Sequence, residues 1–174
     1  KTNYHYVLWY EDDRTILVKH EKYDYVLPDF NDPAWVYFSS LGEDSLPFHE
    51  VLKKYLVAHP NIKLAFQPNT FQIKFGAKKL SGIYKRTDVF ISNKEEAQRI
   101  LGTTEEDIKK LMDWLHKLGP KIVVITDGIK GAYAYDGSTR SEQGRTASLT
   151  TGSIWFMPPY PDPKPPYERT GAGD

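Results

Sequence analysis

The sequence predicts an α/β fold in which strands and helices alternate around a main sheet, and three observations carry that reading. Lys121-Ile122-Val123-Val124-Ile125 has the length and β-branched content of a buried strand, and shorter apolar runs at 35–38, 62–66 and 87–91 resemble it. Between these runs lie stretches with helical spacing: Phe48, Val51, Leu52, Tyr55 and Leu56, then Ile108, Leu111, Met112, Leu115 and Leu118. Polar loops such as Ser39-Ser40-Leu41-Gly42 and Gln67-Pro68-Asn69-Thr70 follow the strands, at the end that faces ligands in open α/β sheets.

Taken in order, the chain opens with a β-rich run from Tyr4 to Tyr10, a polar turn Glu11-Asp12-Asp13-Arg14, and an extended run from Thr15 to Val18, which together predict a hairpin. Its aromatics suit either an interface or a covering face. After the strand at 35–38, Asp44 or Ser45 is placed to cap a helix that admits Pro47 in its first turn and ends at His59-Pro60-Asn61. Residues 71–84 predict a helix weakened by Gly76 and Gly82. Ser92 and Glu95 fit a capping box for a helix closed by Gly102, a reading that leaves Asn93 and Glu96 uncommitted. Residues 103–107 open the next helix, where three carboxylates suit the dipole, and Gly119-Pro120 stops it. The strand at 121–125 delivers Thr126-Asp127-Gly128-Ile129-Lys130-Gly131, and an alternating strand runs from Ala132 to Tyr135. Short strands are expected at 144–150 and 153–157, before a proline-rich connection at 158–166 that cannot continue a central strand.

Composition narrows the function classes. With 40% hydrophobic and 26% charged residues over 174 positions, the chain reads as globular with a real core. The 23 basic and 23 acidic residues cancel, which argues against general attraction to nucleic acid or to an anionic membrane. No cysteine is present, so disulfide, thiolate and zinc-cysteine chemistry are excluded, and a reducing, cytoplasmic setting fits. The five histidines lack metal-like spacing. There is no Gly-x-Gly-x-x-Gly fingerprint, no Gly-x-Ser-x-Gly elbow, no Gly-x-x-x-x-Gly-Lys-Ser/Thr loop, no membrane-length apolar run and no secretory opening.

The densest chemistry sits in Tyr167-Glu168-Arg169-Thr170-Gly171-Ala172-Gly173-Asp174. Two glycines spaced by one small residue let the backbone turn tightly and present successive N–H groups to an anion. This string resembles the second signature of the ribokinase-like (PfkB-type) sugar and nucleoside kinases, Asp-Thr-x-Gly-Ala-Gly-Asp. Asn93-Lys94-Glu95-Glu96 is similar to the family's Asn-x-x-Glu motif, and residues 126–131 to its Thr-x-Gly-x-x-Gly loop. All three occur in family order.

The resemblance implies a three-layer ribokinase-like fold with a central mostly parallel sheet and a small β lid, incomplete at both ends. Residues 1–30 would be a partial lid with its return strands, and 31–174 a partial kinase core. It implies ATP-dependent transfer of a phosphoryl group to a hydroxyl of a small sugar or nucleoside. Asp174 takes the role of base, and the backbone of Gly171, Ala172, Gly173 and Asp174 that of anion hole. Thr170, Thr126, Gly128, Gly131 and Asn93 fall on the nucleotide side, and Glu96 organises water around magnesium. Asn69 either faces the phosphate path or makes an ordinary turn before a helix. Lys130 reads as a phosphate lysine or as an exposed turn residue. Glu168 and Arg169 depart from the pattern of members that hold a monovalent cation, which puts that cation in doubt. The competing reading is a nucleotide- or sugar-binding or regulatory protein with a kinase-like fold and no turnover. The opening Lys1 and the ending at Asp174 suggest a piece of a longer protein, expected to be inactive alone and to self-associate or need a complementary segment.

Overall fold

The structure, a computed structural model, describes residues 2–10, 13–19, 21–29, 31–137, 152–159 and 161. The backbone divides into two compact units, 1–24 with 160–174, and 25–159.

In the first unit, strands β1 (Tyr4–Tyr10) and β2 (Asp13–Lys19) pair antiparallel from Tyr4↔Lys19 to Tyr10↔Asp13, the hairpin that the flanking β-rich runs predict. Asn3 Oδ1 accepts from Glu21 N at 2.7 Å, and Lys19 pairs with Glu21 at 3.2 Å, which ties the strand that leaves the hairpin back to its start. Both faces carry exposed apolar side chains, Tyr6 and Leu17 on one and Trp9 and Val18 on the other. Two strands alone bury little, so register here rests on backbone pairing and cross-strand contacts.

The second unit is a six-stranded sheet ordered β3-β4-β5-β6-β7-β8, formed by Trp35–Phe38, Lys63–Phe66, Val89–Asn93, Ile122–Thr126, Ala132–Asp136 and Ser153–Met157. Strands β3 to β6 are parallel; β7 and β8 are antiparallel additions. Helices α1 (Leu46–Ala58), α2 (Thr70–Phe75), α3 (Ser81–Arg86), α4 (Lys94–Leu101) and α5 (Ile108–Lys117) make the crossovers. Because the parallel strands follow one another in sequence order, crossovers of one hand bring these helices to one face. That face is a row in register: Phe38, Phe66, Phe90, Val123 and Tyr135 lie side by side across five strands, all buried. Leu52, Leu56, Ile83, Tyr84, Ala97, Leu111, Met112 and Leu115 cover them from the helices in a single core. The opposite face, with Ala65, Val89, Ile91 and Val124, is only half buried.

Several local expectations change on contact with this core. Ser45 does stand at the cap position of α1, yet a 3₁₀ turn at Glu43–Ser45 precedes it, its backbone is already helical, and its buried Oγ has no partner among the described residues. His49 rather than Val51 is buried on α1. The expected helix over 71–84 is two, because Gly76 takes φ 85°, a left-handed conformation that ends α2. Residues 103–107 do not open a helix: α5 begins at Ile108 with Asp107 as its cap, accepting from Lys109 N at 2.8 Å. Glu105 Oε1 instead takes the N–H groups of Glu106 and Asp107, so the acidic run organises a loop.

The amino end of the sheet is closed by an ionic cluster, covered at Arg86 and Asp88 and open to solvent at Lys121. Asp88 accepts from Leu64 N at 2.9 Å, from Arg86 at 3.3 Å and from Lys121 at 2.5 Å. Arg86 also donates to the carbonyls of Leu56, His59, Pro60 and Ile62. Three strand entrances are thereby fastened together.

Candidate functional site

At the other end of the sheet, the last residues of β5 and β6 are Asn93 and Thr126, and they are paired in register. Two motifs separated by more than thirty positions therefore meet at the carboxyl edge, where open α/β sheets bind their ligands. The alternation of β5 decides which side chains are available there. Phe90 and Ser92 point into the core, which leaves Ser92 Oγ buried with no partner among the described residues, and Asn93 points outward. Ser92 is therefore not the cap of α4. Asn93 is: its Oδ1 accepts from Glu96 N at 2.8 Å, and Glu96 Oε2 accepts from Asn93 N at 2.9 Å. The capping box lies one residue later than Ser92 and Glu95 predict, because burial of the strand face outranks local capping preference. Glu95 is left exposed beside a shallow, open groove of about 710 Å³ with Gln98, Arg99 and Thr103.

The loop after β6 is a compact turn. Asp127 N donates to Gly131 O at 2.8 Å, Lys130 N to Asp127 O at 2.9 Å, and Gly131 N to Gly128 O at 3.1 Å around a 3₁₀ turn at Gly128–Lys130. Gly131 has φ 99°, and a Cβ there would stand 2.4 Å from Met157 O, so only glycine lets β8 pass. Gly128 has φ 52° with open space around its missing Cβ, so glycine is favoured there by backbone conformation rather than by crowding.

Between this turn and α4 runs a chain of alternating charges. Lys94 Nζ bonds to Glu106 and lies 4.0 Å from Asp127 Oδ2; Lys130 Nζ lies 3.9 Å from the same oxygen. Gln98 Nε2 holds Glu106 Oε1 at 3.0 Å and Glu105 O at 2.8 Å. The hydrogen bond from Lys94 holds the Glu106 carboxyl below its ordinary value, and the same bond raises Lys94. Lys130 is an exposed turn residue, 67% exposed.

Asn69, at the carboxyl side of β4, caps α2: its Oδ1 accepts from Phe71 N and Gln72 N, both at 3.1 Å, and its Nδ2 donates to Leu41 O at 2.9 Å. Gln72 returns the bond by accepting from Asn69 N at 2.9 Å, and its amide donates to His49 Nε2 at 3.1 Å. His49 Nδ1 in turn donates to Ser45 O at 2.8 Å, which sets the neutral tautomer. Burial lowers the His49 pKa, against smaller opposing contributions from Ser45 O and Glu50. Sequence reasoning missed this buried relay, and it missed Lys94 and Glu106. The signal for Lys94 was its place inside the Asn93-to-Glu96 motif; nothing local in the sequence signals Glu106 as its partner. Glu168, Arg169, Thr170, Gly171, Ala172, Gly173 and Asp174, the expected base, anion hole and cation-side residues, lie outside the described residues.

A magnesium ion requires near-octahedral oxygen ligands and usually keeps several waters. Among the described residues no group of three or more His, Cys, Asp or Glu could hold a metal directly. Glu96, with one oxygen occupied by Asn93 N, fits a carboxylate acting through water.

An open sheet with successive parallel strands, helical crossovers and a polar carboxyl edge defines an open-sheet α/β protein. A PfkB protein from Polaromonas sp. JS666 matches it with TM-score 0.59 at 17% identity, over 79% of this chain and 52% of that one. A putative ribokinase II in its apo form from E. coli matches with TM-score 0.54 at 17% identity, over 82% of this chain and 43% of that one. The chain belongs to the pfkB family of carbohydrate kinases, whose profile matches residues 1–174. In sequence it is similar to a cytidine kinase of Thermococcus kodakarensis, 44% identical over 61 residues, which are 35% of this chain and 21% of that protein. The chain thus spans about half the length, or less, of these relatives.

Proposed function

We propose that the protein carrying this chain is an ATP-dependent phosphotransferase acting on a hydroxyl of a small sugar or nucleoside. The observation that carries the reading is the pairing of Asn93 with Thr126 at the carboxyl edge of the sheet, which unites two motifs of a kinase family in one place. The similarity to a cytidine kinase makes nucleosides the first acceptors to test.

In this reading Asp174 accepts the proton of the acceptor hydroxyl as its oxygen attacks. The amides of Gly171 to Asp174 receive charge developing on the transferring phosphoryl group, and Thr170 precedes them in the motif. Thr126 offers a hydroxyl, and Gly128 and Gly131 keep the turn open toward the nucleotide phosphates. Asn69 shapes the neighbouring loop by capping α2. Glu96 holds magnesium through water. When bound, magnesium neutralises charge on the nucleotide phosphates. Positioning and electrostatics then supply most of the rate increase. Glu168 with Arg169 argues against a monovalent cation.

The test is Asp174→Asn in the intact protein, measured as acceptor-dependent ADP formation beside nucleotide affinity. Turnover should fall by at least about a thousandfold while affinity for magnesium-ATP holds. Full turnover in the variant would remove Asp174 from the role of base.

A further inference from the structure

We propose that Lys94 is a positioning residue that ties the turn at 126–131 to the start of α4, holding two phosphate-facing segments in one arrangement. The proposal rests on the phosphotransferase reading for its consequence, and on geometry alone for the tie. Backbone pairing fixes Asn93 against Thr126, but the ladder stops there. Beyond it, the backbone bonds of Asp127, Lys130 and Gly131 close the turn on itself and Thr126↔Ala132 anchors its base in the sheet, but none of these bonds reaches α4.

The direct link to α4 comes from side chains. Lys94 reaches from the first position of α4 to Asp127 on one side and to Glu106 on the other, and its side chain is only 13% exposed although it lies at the open edge of the sheet. Asp127, 19% exposed, is held between Lys94 and Lys130. Glu106 is fixed in turn by Gln98, one helical turn along α4 from Lys94. The separations of about 4 Å are well inside the roughly 8 Å over which physiological salt screens charge. Lys94 thus has its charge shared by two carboxylates. It supports Asn93 and Glu96 on one element and Thr126 and Gly128 on the other without touching phosphate itself. A displacement of about 1 Å between such groups can cost around a hundredfold in rate.

The experiment compares Lys94→Met, which keeps the length and removes the charge, with Lys94→Arg, which keeps the charge, in the intact protein. Amide hydrogen exchange is read at Asp127, Lys130 and Gly131 without nucleotide. Kinetics are read as kcat and as KM for magnesium-ATP and for the acceptor separately. Lys94→Met should speed exchange at these three amides and lower kcat/KM for magnesium-ATP by roughly tenfold to a hundredfold, with the KM for acceptor unchanged. Lys94→Arg should recover most of both effects. Unchanged exchange in Lys94→Met overturns the tie, and unchanged kcat/KM in an active protein overturns its role in the reaction. An unsubstituted protein that neither binds magnesium-ATP nor forms ADP sinks the phosphotransferase reading instead, and the exchange result then decides the tie alone. Should Lys94→Met fail to fold, Asp127→Asn probes the tie from its other end, and slow exchange retained at Lys130 and Gly131 would overturn it.

Discussion

The two ends of the sheet each carry a cluster of opposite charges, and the clusters are built differently. At the amino end, Arg86 and Asp88 have side chains 18% and 11% exposed, and their bonds go largely to backbone: four carbonyls for Arg86 and Leu64 N for Asp88. At the carboxyl end, the charges of Lys94, Glu106, Asp127 and Lys130 face one another; Lys94 and Asp127 are covered, at 13% and 19% exposed, while Glu106 and Lys130 stand open at 75% and 67%. A charge whose bonding capacity is filled by fixed backbone groups has nothing left to exchange with a ligand, so it serves the fold. An ion pair whose outer partner stands in solvent, as Glu106 and Lys130 do, contributes little to stability. The contrast separates an end whose charges are fastened to backbone groups from an end whose charges are set against one another.

The largest effect that would sharpen this contrast is expected at Asp88. Asp88→Ala leaves Arg86 buried and orphans Leu64 N, and should cost about 3 kcal/mol in chemical unfolding. A loss of about 1 kcal/mol or less, the range of exposed pairs, would erase the distinction between the two ends. The acid limb checks it independently. Burial pushes the Asp88 carboxyl up, but the bonds from Lys121 and Leu64 N and the charges of Lys121 and Arg86 outweigh that and leave it below its ordinary value of 3.8. Its contribution is therefore complete above pH 3.8 and is lost as pH falls through the lower native value. Asp88→Ala should lack that limb.

His49 tests whether burial also commits the polar relay under the carboxyl edge to the fold. Its native pKa lies below 6.5, so the unfolded chain takes up a proton first as pH falls. Stability is complete above pH 6.5 and declines below it, by at most about 1.4 kcal/mol per pH unit, until the native histidine also protonates. Thermal midpoints between pH 7.5 and 5 read this slope, and His49→Gln should flatten it; a slope that persists in the variant belongs to another group.

The smallest change in stability is expected at Glu96. Glutamine at this third helical position still accepts from Asn93 N, so Glu96→Gln keeps the capping box and should cost less than about 1 kcal/mol. Removal of its charge should nevertheless raise the magnesium needed for half-maximal turnover, whereas exposed Glu95→Gln should leave the titration as it was. Identical magnesium curves for the two variants would place Glu96 with the fold rather than with the reaction.

Where information was local, the amino-acid sequence determined the outcome. The hairpin around 11–14, the buried strand at 122–126 and the glycine turn that follows it each depend on residues within a few positions: β-branched runs, polar turns, and glycines at φ 52° and 99°. The approach to the carboxyl edge was legible only in part: the strands were expected to end at Ile91 and Ile125, and they run on to Asn93 and Thr126. The tertiary structure decided what depends on facing and on distance. Which of Ser92 and Asn93 caps α4 was settled by the side of β5 that the core claims, a fact no capping preference contains. Arg86 with the carbonyls at 56–62, His49 with Gln72, and Lys94 with Glu106 and Asp127 join residues whose partners are set by strand order and helix placement. Sequence spacing specifies which groups an element offers; packing alone specifies which of them meet, because a charge or an amide finds its partner only after the backbone between them has been folded away.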